Sequence, residues 1–142
     1  MQKNPNHIKY ISFLISPYNM MSFLSDTLYA RIKISKRRLK LGGNMKEIYF
    51  TITGTSHHYG QDFLKPKMKV KLIKETDNEY DKEAIKVELP GLGTIGYVAN
   101  SPYTVLGESY SAGRLYDKIG DSTKGRILYV MPKGILCELI NQ

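Results

Sequence analysis

Glu47 to Gly54 reads EIYFTITG, and the period of its side chains decides the fold. Ile48, Phe50 and Ile52 fall on one side of an extended chain, Tyr49, Thr51 and Thr53 on the other, and Gly54 ends the run. Alternation among β-branched and aromatic residues is the pattern of a half-buried strand. The period returns five times in order. Met68, Val70 and Leu72 alternate with Lys67, Lys69 and Lys71 in a segment that ends at Lys74. Ile85, Val87 and Leu89 alternate with Lys86 and Glu88, and Thr94 to Ala99 resumes after Pro90-Gly91-Leu92-Gly93. In that turn the proline presets φ and the glycines admit φ > 0. Arg126–Met131 and Ile135–Ile140 close the series around Pro132-Lys133-Gly134. Between residues 100 and 120 the β-branched runs stop. There Ser111 to Ile119, SAGRLYDKI, predicts about two helical turns, capped by Ser111 and closed near Gly120. Six short strands with tight turns and one or two short helices predict a mainly β fold, a small OB-like barrel over residues 45–142.

The bulk numbers agree. A chain of 142 residues, 42% hydrophobic and 24% charged, is the size and composition of one globular domain. Its one cysteine, Cys137, leaves no internal disulfide and fits a reducing, cytoplasmic setting. Cys137 shares the Ile135/Leu139 side of a strand, so it reads as a packing residue. No apolar run approaches the ~20 residues that span a bilayer.

The net charge of +8 invites a nucleic-acid reading, but its distribution is uneven. Residues 1–44 hold eight Lys or Arg against Asp26 alone, while residues 45–142 hold 13 against 12 acids. The first segment therefore reads as a poorly structured basic leader, in which MMSFLSDTLYARIKISKRRLK forms at most a weak amphipathic helix or arm. Its apolar run is cut by Pro17 and Asn19, unlike a secretory signal. Gly42-Gly43 can be encoded as a bacterial ribosome-binding sequence just ahead of Met45, so Met45 is the expected start. The alternative is a genuine basic tail behind a Gly-Gly hinge.

In the second segment, Asp77 to Val87, DNEYDKEAIKV, crowds three acids, an amide and a tyrosine into Asp77–Asp81 at the mouth of a strand. It follows ITGTSHHYG and the basic strand KMKVKLIKE, and it precedes GTIGYVAN. This order resembles the HIRAN domain, whose core has the form Asn-x-Tyr-Asp-x-x-Ala-Ile-x-Val followed by a Gly-x-x-Gly-(Tyr/His) strand. The resemblance covers residues 47–140. It implies an OB-like barrel that binds DNA. In eukaryotic members the domain serves a fork-remodelling helicase and captures the 3′ end of single-stranded DNA, whereas bacterial members are often small and stand alone. No Gly-x-x-x-x-Gly-Lys-(Ser/Thr) occurs, so no ATP-driven activity is read.

The resemblance gives the acidic elbow a use. A strand end offers unstacked bases, phosphates and a free sugar hydroxyl. Aromatics stack bases and lysines meet phosphates. A carboxylate or amide can accept a hydrogen bond from a terminal hydroxyl, which an internal phosphodiester cannot offer. Tyr80 would then stack, Asn78 and Asp81 would contact the terminal nucleotide, and Tyr97 would be a further pocket aromatic. His57 and His58 in the first loop, with Lys67, Lys69 and Lys71, complete the candidate set. The sequence departs from the family in that loop: eukaryotic members carry Arg-Tyr there, and here Ser56 precedes His57. His57 can stack as tyrosine does, but Ser56 cannot clamp a phosphate.

Blander readings stand beside these. Tyr80 and Asp81 can simply close an Asx-type turn, the lysines can be solvated residues that protect a sheet edge, and Tyr97 can belong to the core. His57, His58 and Cys137 make no zinc set, and no cofactor or small-molecule substrate is read. The leading expectation is a non-catalytic module for single-stranded DNA or exposed ends in repair or replication. Stacking would accept DNA and RNA alike. A protein-interaction module that docks a DNA-processing partner is the first alternative. A small metal-dependent nuclease built on Asp77, Asp81 and Glu83 is the second.

Overall fold

The alternation places Phe50, Ile52, Val70, Leu72, Ile85, Val87, Ile95, Ile127, Ile135 and Cys137 in one apolar interior. The computed structural model describes residues 25–40 and 47–140. The chain forms helix α1 (Asp26–Lys40), then strands β1 (Tyr49–Thr53), β2 (Lys69–Lys74), β3 (Ile85–Leu89) and β4 (Gly93–Val98). Helix α2 (Ala112–Tyr116) leads to β5 (Ser122–Met131) and β6 (Gly134–Leu139). All pairings are antiparallel in the order β1-β4-β3-β2-β5-β6, and β6 returns to β1 to close the barrel. Bulges between Val87 and Glu88 and between Ile127 and Tyr129 bend β3 and β5 into that curve.

Two boundaries differ from the periodicity. β5 begins at Ser122 because Ser122–Gly125 pairs with β2, although this stretch has no apolar side chain to signal a strand. Helix α2 is shorter than SAGRLYDKI suggests, ending with Asp117 as its C-cap; the Ser111 hydroxyl does accept the Arg114 N–H at its start.

The larger difference concerns β1, which alternation reads as half-buried. Tyr49 and Thr51 on its outer side are buried as completely as Phe50 and Ile52 on its inner side. β6 is likewise buried from Gly134 through Glu138. The cover is α1 together with the segment before α2. Tyr29, Ala30 and Ile34 pack against Tyr49, Leu106, Met131 and Leu136. The Thr51 hydroxyl accepts from the Leu106 N–H at 3.0 Å and lies 3.1 Å from the Ser109 hydroxyl, which satisfies both polar groups inside.

The basic first segment is thus a docked helix over its described part; residues 1–24 and 41–44 lie outside the described residues. The Ser25 hydroxyl accepts from the Leu28 N–H at 3.1 Å, the geometry of an N-cap. Asp26 Oδ2 accepts from the Lys133 N–H at 2.9 Å. Near the other end, Arg37 donates to both oxygens of the buried Glu138 carboxylate at 2.8 to 3.1 Å. The apolar stripe was hard to see in sequence because Leu28 and Ile32 interrupt the exposed face, at 43% and 37% exposure.

Gly96 shows how tightly the barrel is drawn. A Cβ there would lie 2.6 Å from the Thr53 carbonyl oxygen and 2.9 Å from Ile52 Cγ2. Gly96→Ala is expected to cost about 1–3 kcal/mol through this overpacking, read as a lower urea midpoint. Arg37→Ala should cost about 1–3 kcal/mol by leaving the buried Glu138, among the described residues, with only Arg126, whose Nε lies 3.5 Å from Oε1. Arg31→Ala, on the exposed face of the same helix, should stay within about 0.5 kcal/mol of wild type in the same titration.

Candidate functional site

Residues 75–83 connect β2 to β3, and short polar side chains fix the path. Asn78 Oδ1 accepts from the backbone N–H groups of both Tyr80 and Asp81, each at 2.9 Å. Asp81 Oδ1 accepts from the Glu83 N–H at 2.9 Å. These are two successive Asx turns, the local bonding for which Asn and Asp are favoured in turns. Asn78 Nδ2 donates to Glu75 Oε2 at 2.7 Å, and Glu75 N–H donates to the Ala84 carbonyl at 2.9 Å, so the base of the elbow is closed. Tyr80 sits at the crest of this structure with 97% of its surface exposed.

Tyr97 forms the floor. In the sheet register it lies opposite Lys86 on β3 and Thr53 on β1. Its hydroxyl donates to Glu75 Oε2 at 3.0 Å, which ties the barrel wall to the elbow. Burial, and then the hydrogen bond to Glu75, push its phenol above the ordinary value, so it remains a donor. The His58 ring lies 6.2 Å from the Tyr97 ring, centroid to centroid, tilted by 40°. The loop that carries His58 leaves β1 at Gly54, where φ is +74°, a left-handed conformation suited to glycine. Across the elbow, Asn100 Nδ2 donates to Asp81 Oδ2 at 3.1 Å, and Asn100 Oδ1 accepts from the Gly113 N–H at 2.9 Å.

Asn78, Asp81, Tyr97 and the Tyr80 backbone are therefore linked by hydrogen bonds through Asn78 and Glu75, and His58 joins them as a ring neighbour of Tyr97. His57 is exposed beside it on the turn Thr55–His57, while His58 is the histidine that meets Tyr97. Asn78 spends its side chain on the turn and on Glu75. Lys67, Lys69 and Lys71 are exposed, and among the described residues no hydrogen bond or ion pair joins them to the cluster's side chains. Lys67 precedes β2 at φ +75°, Lys69 pairs with Arg126, and Lys71 pairs with Glu88 and Lys124. At about 3.3 Å per residue, Lys69 is roughly 13 Å along β2 from Ile73, the β2 residue level with Lys86 and Tyr97.

Three residues that sequence reasoning did not single out join the cluster or its border: Glu75, Lys86 and Asn100. Strand register brings Lys86 to Tyr97, and Lys86 Nζ lies 3.4 Å from Glu88. The bonds from Asn100 to Asp81 and from Glu75 to Tyr97 cross the fold, so local spacing could not reveal them. Tyr103, 96% exposed, follows Asn100 in a loop where its N–H donates to the Ser101 hydroxyl.

The elbow is acidic: Glu75, Asp77, Glu79, Asp81 and Glu83 face only Lys82 within residues 75–83. Such a charge does not suit a phosphate cradle, but it offers acceptors to a donor. Among the described residues, no group of three or more His, Cys, Asp or Glu is arranged to hold a metal ion. Asp81 and Glu83, two carboxylates of the nuclease alternative, lie 3.1 and 3.5 Å from Asn100 Nδ2. Cys137 is fully buried, and burial pushes its thiol well above the ordinary value, so it is a packing group and a poor nucleophile. No described helix is long and apolar enough to cross a membrane.

Comparison with curated proteins and with solved structures returns no match. Residues 45–132 match the HIRAN domain, from the segment before β1 through the start of the β5–β6 turn and including the whole elbow. The chain belongs to the HIRAN domain family, generally a family of nucleic-acid-binding modules.

Proposed function

We propose that the chain binds the exposed end of single-stranded DNA at the elbow, without catalysis. The observation that carries this reading is Tyr80, a tyrosine held almost wholly in solvent by a turn whose own hydrogen bonds are complete. A stacking ring presented this way gains roughly 1–3 kcal/mol per base while ordering little of the protein. Tyr97, bonded to the elbow through Glu75, and His58 beside it would supply further aromatic surface. Asp81 retains acceptor capacity beyond its bonds to Glu83 N–H and Asn100, enough to receive a terminal hydroxyl. A terminal hydroxyl is a donor and carries no charge, which fits an acidic rim better than a phosphate does. Lys86, opposite Tyr97, is the cation nearest in register for the first phosphate inward.

The acidity of the elbow also favours a second reading, a module that docks a basic surface of a DNA-processing protein. The two readings separate by ligand. Fluorescence anisotropy of the full chain would compare labelled oligonucleotides with a free 3′-hydroxyl, a 3′-phosphate and a duplex blunt end, each at two salt concentrations. Preference for the free hydroxyl, with a shallow salt slope, is expected for end recognition through few phosphates. Absence of binding to all three would discard it in favour of docking.

Variants divide support from contact. Tyr80→Ala should weaken oligonucleotide binding by roughly 5- to 150-fold, the loss of one stacked base, while thermal stability stays within about 0.5 kcal/mol. Asn78→Ala should weaken binding and also lower stability by about 1–2 kcal/mol, because the turn loses the acceptor of two N–H groups. Tyr80→Ala with unchanged affinity would remove the stacking role.

A further inference from the structure

Resting on the elbow as the binding site, we infer that the bound strand continues over Tyr103 onto the Arg31 flank of α1, so that α1 is part of the nucleic-acid surface. Three observations connect the path. Asn100 is bonded to Asp81 at the elbow, and the loop that follows carries Tyr103 with 96% of its surface in solvent. That loop is folded tightly on Ser101: the Thr104 and Val105 N–H groups both donate to the Ser101 carbonyl at 3.0 Å, and the Tyr103 N–H donates to the Ser101 hydroxyl at 3.2 Å. Tyr103 is therefore a second aromatic presented on a fixed backbone, as Tyr80 is. The loop then reaches Gly107, where a Cβ would lie 3.1 Å from both the Arg31 backbone nitrogen and Ala30 Cβ. The chain thus runs from the elbow contact at Asn100, past Tyr103, to α1 at Ala30 and Arg31 within eight residues.

The chemistry along the path changes in the sense a strand requires. The elbow is acidic and suits a hydroxyl terminus, while α1 holds Arg31, Lys33, Lys36, Arg37, Arg38 and Lys40 against Asp26. Among these, Arg37 is committed to Glu138, and Lys33 Nζ lies over the Tyr29 and Tyr129 rings at 5.1 and 5.4 Å. Arg31 is exposed beside Gly107. Lys36 is exposed too, but five residues further round the helix, about 140° away on the flank towards Lys33. A stacking residue followed by a cation, beyond a terminal pocket, is the arrangement that tracks an unpaired strand. Barrel domains of this size occupy about 4–16 nucleotides, so the elbow alone would leave most of such a footprint unsupported.

The test is a length series with the full chain: oligothymidylates of about 4 and about 12 nucleotides, each with a free 3′-hydroxyl, measured by anisotropy. The long ligand is expected to bind at least about tenfold tighter than the short one. Tyr103→Ala and Arg31→Glu should each remove most of that gain and leave the short ligand within about twofold of wild type. Lys36→Glu, the same change of charge on the opposite flank, should keep most of the gain. Equal losses in Arg31→Glu and Lys36→Glu would overturn the path and leave only a diffuse charge effect. If Tyr80→Ala weakens both lengths while Tyr103→Ala and Arg31→Glu keep the full gain, the path fails and the elbow stands. Failure of the wild-type chain to bind either length would overturn both.

Discussion

β1 is pinned from both sides, and the remaining structure depends on that constraint. Its inner side chains, Phe50 and Ile52, belong to the barrel interior. Its outer ones, Tyr49 and Thr51, lie under α1 and the segment through Ser109. A strand so held can close the barrel with β6 along Tyr49–Ile52 and meet β4 at Ile52 and Thr53. The meeting with β4 sets the position of Tyr97 opposite Thr53, and the exit at Gly54 sends the histidine-bearing loop back over the same ring. The floor of the candidate site is therefore a by-product of how the barrel is locked.

The elbow adds the complementary half. It is built by side chains that bond to their own backbone, so its shape depends little on the apolar core. Bonds from Tyr97 to Glu75 and from Asn100 to Asp81 and Glu83 tie it to the rest of the site. The result is a hydrogen-bonded scaffold from which Tyr80 projects as the one aromatic of residues 75–83. This division explains why acids are abundant there: most of them organise the turn or its neighbours, and their spare lone pairs remain available.

What was legible in the sequence follows from which forces are local. The period of Ile48, Phe50 and Ile52, the turn at Pro90–Gly93 and the Ser111 cap are local signals, and the strands and α2 appear where those signals lie. Ser122–Gly125 carries no such signal and is a strand because β2 pairs with it. The outer burial of β1 and β6 could not be read, since it depends on a helix whose apolar stripe is blurred by Leu28 and Ile32. The same holds for the site. Asn78, Tyr80 and Asp81 stand together in the sequence, whereas Asn100 and Lys86 reach them only through the fold, and strand register sets Lys69 and Lys71 apart from Tyr97.

Closure of the barrel bears on how this domain can meet other proteins. Among the described residues each of the six strands has a hydrogen-bonded neighbour on both sides over part of its length, so no strand offers its full length as an open edge. The sheet therefore gives β-augmentation or edge-to-edge pairing of two copies only short stretches such as Leu128–Met131, where β5 has β6 alone as a strand partner. Protein contact then falls mainly to side chains on the loops and helices, the same surfaces that would face a nucleic acid. Nucleic acid and a protein partner would then compete for one surface, and exchange between them could serve as a handover.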